Sequence, residues 1–392
     1  MNFLERYLFY NSGNEVNRNY HLWTALSMLA SCTSRHVWCR MGYFTIYPNL
    51  YVVLLGPAGN GKTTAMRCGK DLISELGSTP LSADCQSTED LVRMLARDDA
   101  QQAFIVDNQP IVYTHLSLFI TELSQFIGID PAKMIDFFVT IYDADQRYVK
   151  RTIKHGPQEI VRPCICLLGC TVPDWVSTYL KTDIITGGFS RRCVFVVEDL
   201  SDKRVPWPVV TEEQLAARAD CLQWCKNVQG VTGEFQRTPA AVKWWENWYM
   251  TRKISRDPNI ASFDKTRHVL VLKLAMLLQL GKSLDLVLDV PELEYALALT
   301  DTIMDRLPDV FGCVGRNELA QVGGKLLNIL ARQGAPMPEK EVQALLWRDA
   351  PLSEQVVIIQ QLMSQGKIVR FTPKDNPLGR TFLALADKTQ KE

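Results

Sequence analysis

Gly56-Pro-Ala-Gly-Asn-Gly-Lys-Thr-Thr64 follows directly on Leu50-Tyr-Val-Val-Leu-Leu55, a continuous apolar run with the character of a buried parallel strand. Behind it a helical pattern opens at Thr63 and runs through Ala65 and Met66 to Leu72 and Ile73. Strand, glycine loop and helix are the context in which G-x-x-x-x-G-K-[ST] cradles phosphate. Gly56, Gly59 and Gly61 let the backbone curl until successive N–H groups point inward, and the helix N-terminus adds partial positive charge at the same spot. Pro57, Ala58, Asn60 and Thr64 complete the loop. Lys62 is expected to reach the β- and γ-phosphates of a nucleoside triphosphate, and the Thr63 hydroxyl to ligate Mg²⁺.

The rest of the chain is compatible with a folded, soluble protein. It has 392 residues, 47% apolar and 22% charged, enough for several structural units. The net formal charge is zero, so nucleic-acid contact has to come from local basic clusters rather than a global field. Eleven cysteines carry no C-x-x-C pair and no disulfide framework, which points to reduced thiols and a cytoplasmic setting. The N-terminus lacks a signal-peptide profile, and no apolar run approaches the ~18 residues of a membrane span.

Residues 1–48 read as an N-terminal helical lead-in, with Leu22, Ala25, Leu26 and Leu29 at helical spacing. An ATPase core is expected over 49–208. Within it, Leu116-Ser-Leu-Phe-Ile120 is apolar enough for a central strand and ends at Thr121-Glu122. An acid at the carboxyl end of such a strand can polarise an attacking water, a role assigned to Glu122. Thr121 stands where a metal-binding Asp is expected, which weakens or displaces Mg²⁺ coordination. Tyr148-Val-Lys-Arg-Thr-Ile-Lys154, a turn at His155-Gly-Pro157 and Gln158–Arg162 form a basic hairpin, with Arg147, Lys150, Arg151 and Lys154 on one arm. It is either a DNA-gripping element using Lys150, Arg151, Lys154 and His155 or a solvated basic ribbon. Cys164–Leu168 is a further buried strand, after which Thr171 can sense the γ-phosphate and the water.

Gly187-Gly-Phe-Ser-Arg191-Arg192 enters the strand Cys193–Val197. An arginine there is badly placed for its own site and better placed for a neighbour's, as a finger supplied in trans by Arg191, with Arg192 as substitute. After a Pro-bearing link the signal is helical, and 209–312 reads as a lid. Its Trp244, Trp245, Trp248 and Tyr249 read as a core-facing aromatic face, and Lys273 is a candidate second γ-phosphate sensor. The segment 313–392 has the helix–helix–helix–strand–strand order of a winged helix, but its third helix, Ser353–Gln365, contains no Lys or Arg.

On Tyr47–Thr64, Phe119-Ile-Thr-Glu-Leu123 and Gly187–Arg192, the chain resembles a family of P-loop ATPases of uncharacterised domain type common in phages, plasmids and integrated elements. The likeness spans roughly residues 15–300. The wider layout, an AAA+-like α/β core with a parallel sheet, a helical lid and a C-terminal winged helix, is similar to the minichromosome-maintenance helicases. The resemblance implies an ATP- and Mg²⁺-dependent DNA helicase or translocase of a mobile-element replication system. It would work as a homo-oligomeric ring, a hexamer by that likeness, on single-stranded or forked DNA alongside other replication proteins and away from membranes. Two alternatives stand beside it: a helicase loader, initiator or regulatory ATPase switch acting on partner proteins, and a RecA-like filament protein, against which the helices after Arg192 argue.

Overall fold

The computed structural model describes residues 1–128, 130–144, 146–152, 156–173, 175–176, 188–311, 318–373 and 380–386. The chain divides into two compact units, residues 1–314 and 315–392. The expected lead-in, core and lid therefore share one unit, and the last segment forms the other.

The strands of the first unit begin with β1 (Val37–Met41), β2 (Phe44–Ile46), β3 (Tyr51–Leu55), β4 (Gln101–Val106) and β5 (Gln109–Ile120). They continue with β6 (Arg147–Thr152), β7 (Gly156–Val161), β8 (Pro163–Thr171) and β9 (Cys193–Val197). Five of them form the central sheet in the order β4-β5-β8-β3-β9. β5, β8, β3 and β9 run parallel, and β4 closes the edge as an antiparallel partner of β5. Every residue of β3 and β8 is buried, as expected of parallel strands covered on both faces. The strand preceding the glycine loop thus lies between β8 and β9, with β5 one strand further out.

The helices of this unit are α1 (Phe3–Tyr10), α2 (Arg18–Thr33), α3 (Lys62–Leu76), α4 (Thr88–Leu95), α5 (Leu123–Gly128) and α6 (Pro131–Ile141). After the sheet follow α7 (Glu212–Gln229), α8 (Pro239–Thr251), α9 (Pro258–Lys282) and α10 (Val290–Phe311). The N-terminal segment is not peripheral. From Tyr20 to Thr33 every residue of α2 is buried, and the helix packs against α3, α7 and α9. A helix apolar on all sides belongs in a core. Three of its hydroxyls bond back into the helix: Thr24 donates to Tyr20 O and Ser27 to Trp23 O, each at 2.8 Å, and Thr33 to Ala30 O at 2.9 Å.

On α8, Thr238 caps the first turn by accepting from Ala241 N, with Pro239 just inside the helix. Trp244, Trp245 and Trp248 are half-buried against the core, and Trp244 stacks on Trp248 at 6.0 Å. They pack as the aromatic face that their spacing suggests.

The second unit holds α11 (Glu318–Gln333), β10 (Met337–Pro338), α12 (Glu339–Leu346), α13 (Leu352–Ser364), β11 (Ile368–Phe371) and β12 (Phe382–Leu385). Its three strands pair antiparallel in the order β10-β12-β11. Leu326, Val342, Ile358 and Leu383 are buried at its centre. On α13, Leu352, Val356, Val357 and Met363 are exposed beside Ser353, Glu354, Gln360 and Gln361, so the outward face of that helix mixes apolar and polar residues and carries no Lys or Arg. Among the described residues, no helix is long and apolar enough to cross a membrane.

Candidate functional site

The central sheet has two ends, and the candidate residues divide between them. At the carboxyl end, Gly56–Gly61 links β3 to α3, which starts at Lys62. Gly59 and Gly61 adopt φ of 80° and 81°, in the left-handed region that favours glycine. A Cβ at Gly61 would also stand 2.7 Å from Val16 Cγ2, and one at Gly56 would stand 2.5 Å from the Tyr20 hydroxyl. The loop is therefore packed from outside by the N-terminal segment, and glycine is required where they meet.

That packing carries a hydrogen-bond network. Tyr20 donates its hydroxyl to Leu55 O at 2.7 Å and accepts from Asn60 Nδ2 at 3.0 Å. Asn60 Nδ2 also donates to Glu198 O at 2.7 Å. The Glu198 carboxylate accepts in turn from Asn17 and Asn19, at 2.7 and 2.6 Å. Because Asn60 Nδ2 faces only oxygens, the amide cannot be turned over without opposing acceptors to one another. Its Oδ1 is left buried without a partner. Beside it a cleft of about 340 Å³ is lined by Asn14, Val16, Asn60, Thr64, Leu200 and Val205. Tyr20, Glu198 and this cleft escape a motif reading, since nothing in Asn14–Tyr20 or Glu198–Pro208 forms a recognisable pattern.

Lys62 is 7% exposed, and its Nζ donates to Gly56 O and Pro57 O at 2.7 Å each. The amine is thus held within the curl of the loop. Burial lowers its pKa, an effect that the Glu122 carboxylate opposes. Burial pushes the Cys170 thiol up to about 12, with Thr63 acting in the opposite direction. Cys170 is therefore a neutral neighbour of the loop and not a nucleophile.

Two more residues close this end. Thr171, the last residue of β8, pairs with Leu55, the last of β3. Its hydroxyl is buried and has no partner. Ile120 of β5 pairs with Gly169, so Thr121 and Glu122 emerge beside the last residues of β8. Glu122 is exposed, and its carbonyl accepts from Gln125 and Phe126 at the start of α5. With strands ~4.8 Å apart, Glu122 leaves the sheet about 10 Å from the line of β3.

The donors here suit a cation carried by phosphates better than a protein cage. Among the described residues there is no group of three or more His, Cys, Asp or Glu placed to hold a metal. Mg²⁺ ordinarily takes one or two protein ligands together with phosphate oxygens and water. The Thr63 hydroxyl fits that requirement, and Thr121 adds no carboxylate. The loop N–H groups, the held amine and the orphaned Thr171 hydroxyl are donors that fit a polyphosphate ligand.

At the amino end of the sheet lie the other candidates. Arg191 and Arg192 form a short turn before β9, whose first residue pairs with Tyr51 at the start of β3. At ~3.3 Å per residue, Arg191 stands roughly 20 Å from the glycine loop of its own chain. It is exposed, whereas Arg192 is engaged by Asp143 at 2.6 Å and by Gly188 O at 3.1 Å. Arg192 is therefore an anchor, which corrects the expectation that it could substitute for Arg191.

Lys273 is also at this end. Its Nζ donates to Asn49 Oδ1 at 2.7 Å and Asn49 O at 3.1 Å, and lies 3.9 Å from the centre of the Tyr142 ring. Burial lowers its pKa to about 8. Asn49 precedes β3 whereas the glycine loop follows it, so Lys273 does not reach the loop as the expected second sensor.

β6 and β7 form the expected antiparallel hairpin, immediately before β8. Lys154 and His155 lie outside the described residues. Alternation separates the remaining basic residues: Arg147 and Arg151 are exposed, whereas Lys150 turns to the other face, 3.7 Å from Glu89. Lys150 is thus partnered within the chain, and Arg147 takes its place on the open face. Comparison with protein-family models and with curated proteins finds no match to this chain.

Proposed function

We propose that this chain is an ATP-driven DNA helicase or translocase that works as a ring, with each nucleotide site shared between two copies. The observation that carries the reading is the division of the sheet into two ends. The glycine loop, Glu122 and Thr171 gather at the carboxyl end, where open parallel sheets bind ligands. An exposed arginine and a basic hairpin occupy the opposite end, out of reach of the same chain's loop. In this reading the triphosphate cradle is completed by Arg191 of a second molecule.

The strand order supports an AAA+-like P-loop core. One strand, β8, separates the loop-bearing β3 from the acid-bearing β5, so Thr171 is interposed between loop and acid. In this reading Lys62 and the loop N–H groups bind the triphosphate, and Thr63 supplies a ligand for Mg²⁺, which when bound neutralises charge on the β- and γ-phosphates. Glu122 accepts a proton from the attacking water, and Thr171 orients that water. The cleft beside Asn60 receives the base and ribose. Arg191 of a neighbour stabilises transition-state charge, an effect of order 10³–10⁵ in turnover. Arg147 and Arg151, together with Lys154 and His155, hold the sugar-phosphate backbone without reading sequence.

The second unit has the element order of a winged helix, and the absence of Lys and Arg from α13, with Leu352, Val356 and Val357 exposed, favours contact with protein over the major groove. That observation supports the alternative reading, a loader or initiator that uses ATP to control partner proteins. The two are separated by measuring hydrolysis with and without single-stranded DNA, alongside fork unwinding. A motor is stimulated by DNA and separates strands. A loader hydrolyses slowly and does neither.

A further inference from the structure

The base of the hairpin is fastened to the rest of the unit at both ends. The buried Arg35 guanidinium donates to Ala144 O at 2.5 Å, ahead of the hairpin, and to Pro163 O at 3.2 Å, just behind it. Arg162 donates from Nε to Gln146 Oε1 and from Nη1 to Val112 O, both at 3.0 Å. Asn49 Nδ2 donates to Tyr142 O at 2.9 Å, while Lys273 holds Asn49 and faces the Tyr142 ring. A hairpin clamped in this way moves with its base rather than bending independently of it.

The same base carries the arginine turn. Asp143, between Tyr142 and Ala144, accepts from Arg192 Nη2 at 2.6 Å. Arg192 Nη1 donates to Gly188 O, closing the turn that presents Arg191. Gly188 sits at φ 133°, and a Cβ there would stand 3.2 Å from Arg192 Nη1, so the clamp requires a glycine. Thr266 on α9 approaches Arg191 O at 3.5 Å. The backbone of Arg191 is thus supported from both sides, while its guanidinium is exposed.

We propose that Asp143 and Arg192 are positioning residues that couple the hairpin to Arg191, so that nucleic acid on the hairpin of one copy sets the finger presented to the next copy's nucleotide. The inference rests on the shared-site reading above. Asp143 touches neither nucleotide nor nucleic acid in this arrangement. Its effect passes through Arg192 to the residue next to it.

The test uses the full chain and measures three quantities: affinity for a fluorescent ATP analogue, affinity for a labelled oligo-dT strand, and steady-state hydrolysis with and without that strand. Asp143→Asn and Asp143→Ala are expected to retain both affinities within about twofold and to lose about tenfold in DNA-stimulated kcat, equivalent to about 1.4 kcal/mol of transition-state stabilisation. Asp143→Glu, which keeps the charge, is expected to retain most of the stimulation. Thermal melting of each variant identifies any that fails to fold, and Asp143→Asn, nearly isosteric with the native residue, serves in place of Asp143→Ala if that one does. Full stimulation in a folded Asp143→Asn or Asp143→Ala overturns the coupling and leaves the shared site standing. A wild type whose hydrolysis ignores the strand overturns the coupling together with the DNA-motor reading.

Discussion

Leu55 and Thr171 face one another as the last paired residues of β3 and β8, and the Thr171 hydroxyl beside the glycine loop is buried with no hydrogen-bond partner. A buried orphan hydroxyl costs the fold about 1–3 kcal/mol. Thr171→Val keeps the shape and removes the orphan. It is expected to stabilise the free protein by about 1 kcal/mol while reducing hydrolysis by about 10²-fold, with triphosphate affinity nearly unchanged. Opposite signs in a melting experiment and a hydrolysis assay mark a residue kept for function. A loss of both would mark an ordinary structural threonine.

Tyr20 reaches the loop from α2, donating to Leu55 O and accepting from Asn60. Tyr20→Phe removes both bonds and leaves the Leu55 carbonyl buried. The expected cost is about 1–2 kcal/mol of stability, with several-fold weaker binding of a fluorescent ATP analogue because Asn60 loses one of the bonds that fix it and keeps that to Glu198 O. Isothermal titration and thermal melts of the variant check both effects.

His21 and His115 are buried, and burial lowers each to a pKa of about 4. The ordinary value is about 6.5, so the unfolded chain takes up these protons first as pH falls. The stability each contributes by remaining neutral is complete above pH ~6.5 and is lost progressively down to pH ~4. Denaturant melts between pH 7 and pH 4 are expected to lose several kcal/mol, and His115→Gln is expected to flatten part of that slope. A slope unchanged by His115→Gln would contradict the assignment.

On the hairpin, Arg147 and Arg151 share the exposed face while Lys150 is near Glu89. Arg147→Ala and Arg151→Ala should each reduce the slope of log K against log[salt] for oligo-dT binding by about 1. Lys150→Ala should leave the slope within error. An equal loss from Lys150→Ala would mean that the Glu89 pairing yields to DNA.

Much of this organisation was legible in the sequence because it is written in local patterns. The apolar run before Gly56, the Thr238-Pro239 cap and the β6–β7 alternation each depend on neighbours along the chain. What could not be read depends on distant contacts. α2 shows apolar residues at helical spacing, but that it is buried all round depends on α3, α7 and α9 packing against it. Lys273 and Arg192 are cations near glycine-rich or apolar segments, and nothing in their spacing says that Asn49 and Asp143 hold them. Tyr20 and Glu198, distant in sequence from the loop, are joined to it through Asn60. Of the helices between Glu122 and the hairpin, α6 is capped by Asp130 before Pro131, yet no motif draws attention to either.

The most direct test mixes two inactive variants. Arg191→Ala retains a complete cradle and lacks the finger, and Glu122→Gln retains the finger and lacks the base. If two copies build each site, each variant alone should be nearly inactive, and a mixture should recover roughly a quarter of wild-type hydrolysis as wild-type pairings form between subunits. A mixture no more active than its parts, or Arg191→Ala turning over at the wild-type rate, would contradict the shared site.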